Sequence, residues 1–121
     1  MKFPVLKNKE IREVKRKGKK FSSLHLEWRV LFTHSSYPPR IVINAHRHCG
    51  KAVRRNYLRR IVREWIKGRY SHFPSGTHLF VRIISSPPSP KEKWREEIER
   101  ELEEIWERFK EEIPRGTQCR E

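Results

Sequence analysis

Aspartate is absent from this 121-residue chain, and amide side chains are scarce, with three Asn and one Gln. Before residue 71 the only carboxylates are Glu10, Glu13, Glu27 and Glu64. Hydrolases that hold their own metal ions do so mostly with clustered carboxylates, so this class fits poorly. No Gly-rich phosphate loop, nucleophile elbow or zinc spacing is present. No apolar run approaches the roughly 18 residues of a bilayer span, and the opening MKFPVLKNKE is too polar for a secretory apolar segment. The two cysteines, Cys49 and Cys119, have no metal-ligand spacing and read as free thiols in a reducing cytoplasm. Few amides beside many Glu, Lys and Arg is a bias of proteins from hot environments.

What the chain has instead is positive charge. It carries 29 Lys and Arg against 15 Glu, a net charge of +14. Residues 1–70 hold 20 of those cations against four Glu, whereas residues 71–121 hold nine against eleven. Like charges repel in a compact state, so such an excess speaks of partners: nucleic acid first, an anionic membrane second. The length suits one domain with a modest core, expected to span 1–121.

Along the chain, an extended opening leads to Asn8, a candidate N-cap for a short helix over 9–17 that stops at Gly18. LHLEWRVLF (24–32) alternates apolar and polar residues as a half-buried strand does. HSSYPPR turns the chain, and RIVINAH (40–46) is a second strand whose closeness suggests a hairpin partner. After a basic helix over 51–67, HLFVRII (78–84) is apolar almost throughout and so belongs at the centre of the sheet. SSPPSP links it to a last helix over 91–113, with Ser89, Pro90 and Glu92 as N-cap, N1 and capping-box partner. The tail 114–121 is expected to be disordered. The order α-β-β-α-β-α predicts an α+β sandwich: a mixed sheet with helices packed on it, and a parallel pair flanking the basic helix.

At 100° per residue, Leu58, Ile61, Val62 and Trp65 share a core-facing wedge of the basic helix. Asn56, Arg59, Arg60, Arg63 and Lys67 collect on the opposite side. Glu64 is the one counter-charge in the segment, so this is no lattice of intrahelical ion pairs, and arginine's planar fork suits phosphate. Nucleic acid is the expected partner, with DNA and RNA both open from these residues. Trp28 and Phe32 either stack unpaired bases or face the core. His46 and His48 lie in a basic turn as RNA contacts or exposed side chains, and His25, His34, His72 and His78 complete the acid–base candidates.

GKAVRRNYLRRIVRE resembles the signature of the bacterial ribonuclease P protein subunit: Ala52, then Arg55-Asn56, aliphatic Leu58, the basic pair Arg59 and Arg60, and Arg63. The resemblance extends to RIVINAHRHCGKA, to the first helix ending KRKG and to WRVLF, about residues 6–84 in all. It implies a small basic protein with an unusual left-handed β-α-β crossover around the signature helix. Such a protein binds a large catalytic RNA that removes the 5′ leader of precursor tRNA with Mg2+, no metal site being expected in the protein itself. The partners implied are ribonuclease P RNA and precursor tRNA. By the resemblance and its basic flanks, Arg47, Lys51, Arg54, Arg55, Asn56, Arg59, Arg60, Arg63 and Lys67 contact RNA, and Lys15, Trp28 and Phe32 line a leader cleft between the first helix and the sheet.

This chain departs from the pattern at Tyr57, where a basic residue is usual, at Cys49, and at Ile11 and Lys15, where two Phe are usual. The long final helix is an addition that packs on the sheet or takes a further partner. A ribosomal or other structural RNA-binding protein is the alternative that the same charge and size fit. The signature's spacing favours the first reading.

Overall fold

The structure is a computed structural model that describes residues 3–33 and 35–113. Its elements run α1 (Asn8–Lys17), β1 (Lys19–Ser22), β2 (Leu26–Phe32), β3 (Arg40–Ala45), α2 (Ala52–Arg69), β4 (Thr77–Ile83) and α3 (Trp94–Glu111), with short 3₁₀ turns at Arg47–Cys49, Tyr70–His72 and Lys91–Lys93. The sheet order is β1-β2-β4-β3. β2 is antiparallel to β1 and β4, whereas β3 runs parallel to β4, with α2 in the connection. The α+β class, the mixed sheet and the central position of the apolar strand agree with the sequence. His34 and the tail from residue 114, with Cys119, lie outside the described residues.

Two strand assignments need correction. Lys19–Ser22 is an edge strand with Phe21 as its one buried side chain, too short and polar for its alternation to register. And β3 is not the hairpin partner of β2, because β4 lies between them. The apolar β4 needs cover on both faces and both edges, and the central place supplies it.

The helix ends also differ from expectation. Lys7 rather than Asn8 is the N-cap of α1, and its N–H donates to Glu10 Oε1 at 2.8 Å. Gly18 does end the helix, but in extended conformation (φ −72°, ψ 154°). Glycine is needed there for close approach: a Cβ would stand 2.4 Å from Val14 O and 2.9 Å from Val30 O. Ser89 does not cap the last helix, because its hydroxyl donates to Glu97 Oε2 at 2.6 Å and a 3₁₀ turn precedes Trp94.

Helices cover the sheet on both sides. On one face, Leu26, Trp28, Val30, Leu79 and Val81 meet the buried stripes of α2 and α3. Aromatic rings fill the centre: Trp28 packs edge-on to Trp65 and Phe109, and Phe109 stacks on Phe32 and Trp106. On the other face, Leu6 and Val14 close over Phe80, with Ile11, Leu31 and Val42 beside them.

Polar clamps fix the outer helices. Glu101 of α3 accepts from Ser23 Oγ at 2.6 Å and His25 N–H at 2.7 Å, and its Oε2 meets His25 Nδ1 at 2.6 Å. Both side chains of the His25–Glu101 pair are largely buried. Glu10 holds α1 through Lys7 and through Arg40 Nη1 at 3.1 Å. The Lys7 N–H, with Arg40 adding, holds the Glu10 carboxyl below its ordinary 4.5 although burial opposes this.

Glu101→Ala strands three donors at the β1–β2 turn and is expected to cost about 2–4 kcal/mol in urea unfolding; a loss no larger than that of an exposed α3 glutamate, such as Glu104→Ala, would show the clamp to be idle. A carboxyl with a lowered pKa stabilises the fold above its unfolded value and stops doing so as pH falls through the folded one. Glu10→Gln should therefore lose about 1 kcal/mol at neutral pH. The two proteins should converge in stability as pH drops below 4.5, and a pH-independent difference would point to packing instead.

Candidate nucleic-acid interface

The stripe Leu58, Ile61, Val62, Trp65 and Ile66 is buried, and this fixes the rotation of α2. Lys51, Arg54, Asn56, Arg60, Arg63 and Lys67 are consequently exposed, while Arg55 and Arg59 are half-buried. An Arg59 guanidinium N–H donates to Asn56 Oδ1 and links the two polar residues one turn apart. The first turn of α2 carries no acidic residue and no side-chain cap, so its positive end is unneutralised. Glu64 is drawn aside: Arg95 of α3 binds it at 2.8 Å and lowers its pKa most, and Arg60 stands 3.6 Å from it.

The turn before α2 adds Arg47, exposed, and the paired rings of His46 and His48 at 4.3 Å. His46 Nδ1 accepts the His48 N–H at 3.1 Å, so a neutral His46 carries its proton on Nε2. Desolvation first, then His48, Arg82 and Arg47, hold its pKa below 6.5, which keeps the ring neutral at pH 7. Gly50, with φ +104°, makes the turn into the helix. Cys49 is buried, its Sγ 3.4 Å from Ile83 O, and burial raises the thiol pKa, so it acts as a small core residue.

The cleft residues divide. Trp28 is 0% exposed within the aromatic core and offers no face to RNA. Phe32 stacks on Phe109 of α3, and so lies on the face away from α1. Both corrections follow from the same pleat: residues 28 and 32 share a side, and that side is the one α2 and α3 cover. Lys15 alone of the three lies on the α1 face, its ammonium 4.9 Å over the Phe80 ring.

Register fixes what surrounds Lys15. Arg29, Phe80 and Val42 are neighbours across the sheet, and Glu27, Arg82 and Asn44 form the next row. Arg29 donates to Lys15 O at 2.9 Å and to Glu27 Oε1 at 2.7 Å. Phe80 is 5% exposed under Lys15, so the surface of this strip is made by the side chains of Lys15, Arg29, Arg82, Glu27 and Asn44 rather than by an open aromatic ring. Arg29, Arg82 and Asn44 were missed in the sequence, and their signal was available: in an alternating strand, whatever opposes Trp28 and Val81 must face the other helix. Beyond the strip, Glu10, Arg40 and His78 close the groove, with His78 Nε2 3.8 Å from Glu10 and its imidazole pKa lowered mainly by burial.

Among the described residues no three of His, Cys, Asp or Glu come together as a metal site. No helix among them is long and apolar enough to cross a membrane.

The family model for Ribonuclease P matches residues 2–110. No curated protein matches the chain. Among solved structures, a Staphylococcus aureus RNase P protein mutant with defective mRNA degradation activity superposes with TM-score 0.74 at 21% identity, over 89% of this chain and 88% of that one. The S. aureus RNase P protein at 2.0 Å gives 0.71 at 19% identity, over 91% and 97%. The Thermotoga maritima RNase P protein gives 0.64 at 23% identity, over 93% and 99%. These structures share its fold, and with a family match across nine-tenths of its length the chain belongs to the ribonuclease P protein family.

Proposed function

We propose that this chain acts in the cytoplasm, assisting ribonuclease P RNA to remove the 5′ leader from precursor tRNA. The observation that carries this reading is α2: a helix whose apolar stripe is locked into the core, whose outer face is arginine-rich, and whose single glutamate is held by Arg95. The RNA performs the phosphodiester hydrolysis with Mg2+. The protein contributes cationic surface, which lowers the repulsion between phosphates that the ions would otherwise have to screen.

The two faces of the sheet divide the work. Arg54, Arg55, Asn56, Arg59, Arg60, Arg63 and Lys67, with Arg47 and Lys51 in the turn before them, meet the catalytic RNA. The strip beside α1, with Lys15, Arg29, Arg82 and Asn44, takes the leader as an extended strand held by its phosphates. Base stacking is not required of it, since Phe80 is covered.

At low Mg2+, adding the protein to a bacterial ribonuclease P RNA should restore cleavage at the mature 5′ end of tRNA; failure to do so while the protein still binds that RNA would assign it another RNA task. Arg59→Ala with Arg63→Ala should weaken binding to the catalytic RNA about 10–30-fold, as loss of two charge-assisted phosphate contacts. Lys15→Ala with Arg82→Ala, measured in the assembled enzyme, should weaken binding of precursor tRNA and spare mature tRNA. Equal loss on both substrates would remove the leader from the α1 strip.

A further inference from the structure

The linker between β4 and α3 is fixed in place. Trp94 Nε1 donates to Ser89 O at 2.9 Å, and the Ser89 hydroxyl is engaged with Glu97. Its prolines, Pro87, Pro88 and Pro90, restrict the backbone between these bonds. The linker passes the first turn of α2, and a cleft of about 430 Å³ lies between them, lined by Arg54, residues 86–91 and Trp94.

Charge in this cleft is of one sign. Arg54 stands on one wall, is exposed, and has no ion-pair partner among the described residues. On the other wall Lys91 lies with its ammonium 5.0 Å over the ring of Tyr57, which itself packs 6.2 Å from Trp94. A cation held over an aromatic face keeps its charge and loses little of its capacity to donate. No carboxylate lines the cavity, and Ser86 supplies a hydroxyl. Glu64, the nearest acid on α2, lies two to three turns further along and is bound by Arg95.

We infer that the Arg54–Lys91 cleft is a phosphate subsite for RNA, holding one phosphodiester of a strand that leaves the cationic face of α2 and crosses the linker. The inference rests on the RNA-binding reading of α2 and deepens it: the interface extends beyond the signature helix onto residues 86–91. RNA is the occupant because Arg54 stands in the first turn of α2 beside Lys51 and Arg55, at the unneutralised positive end of the helix, so a polyanion on the outer face reaches the cleft by passing around that end.

The test is the salt dependence of binding between the full chain and a bacterial ribonuclease P RNA. Arg54→Ala with Lys91→Ala should flatten the slope of log Kd against log salt by roughly 0.7–0.9, the share of the one phosphate the two cations hold together. Lys91→Ala alone should account for about half of that. Lys93→Ala, exposed but outside the cleft, should leave the slope unchanged. All these side chains are exposed, and unaltered thermal unfolding of each variant confirms that the fold is intact. A slope unchanged in Arg54→Ala with Lys91→Ala, while Arg59→Ala with Arg63→Ala flattens it, overturns the subsite and leaves the α2 interface standing. Loss confined to Arg54→Ala also overturns it, because the linker is then a bystander. If neither pair alters the slope, both readings fall together.

Discussion

Everything in this protein depends on the burial of α2 against the sheet. Helix and strands meet through Leu58, Ile61, Val62, Trp65 and Ile66 on one side and Trp28, Val30, Leu79 and Val81 on the other. Burying five such side chains stabilises by about 8–15 kcal/mol in total before entropy is counted, at about 1.5–3 kcal/mol each. That is more than enough to oppose repulsion among solvated arginines at one to two turns' spacing, where high dielectric and salt leave about 1 kcal/mol per close pair. The helix cannot roll to relieve its charge without exposing its stripe. A rigid core thus holds a cationic surface in readiness, and no ordering is needed when a polyanion arrives.

The C-terminal helix makes that arrangement tolerable. It carries most of the chain's glutamates, and three of them are turned to specific donors: Glu103 to Arg69 and Trp65, Glu101 to His25, Glu99 to Arg95. The contacts with Arg69 and Trp65 fall at the C-terminal end of α2, and Arg95 binds its Glu64. The N-terminal two-thirds of the α2 outer face is left without an acidic neighbour from α3. Acidic charge is therefore placed to fasten α3 to α2 along one edge, and it neutralises only the end of the helix furthest from the basic turn.

Much of this was legible in the sequence, and the failures at the cleft share one cause. The rotation of α2 followed from helical periodicity, and the central position of β4 followed from its continuous apolar run. Alternation also showed that Trp28 and Phe32 share a face. What alternation cannot say is which helix covers that face, because strands of either assignment read identically. The two aromatics were therefore assigned to the cleft when they belong beneath α3. Alternation does set Arg29 and Arg82 opposite Trp28 and Val81, and what the structure adds is the register that places them with Asn44 in rows beside α1. β1 escaped because a four-residue edge strand with one buried side chain has almost no periodic signal.

The departures from the family signature gain a physical account in the same way. Cys49 is buried and bonded to Ile83 O, so its substitution belongs to packing between the basic turn and β4. Tyr57 stands where a cation is usual, yet its ring carries one, since Lys91 reaches across from the linker and lies over it. Phenol and ammonium together span more distance than one side chain, so the charge moves outward from α2 toward the loop. Lys15 likewise sets its charge over Phe80, a residue supplied by the sheet rather than by the first helix. On both sides of the molecule an aromatic ring supports a lysine from another element: the Tyr57 ring carries Lys91 where a basic side chain is usual, and the Phe80 ring of the sheet carries Lys15 where a phenyl group is usual. A signature read along the chain registers Tyr57 as the loss of a cation; in three dimensions a lysine of the linker stands over its ring.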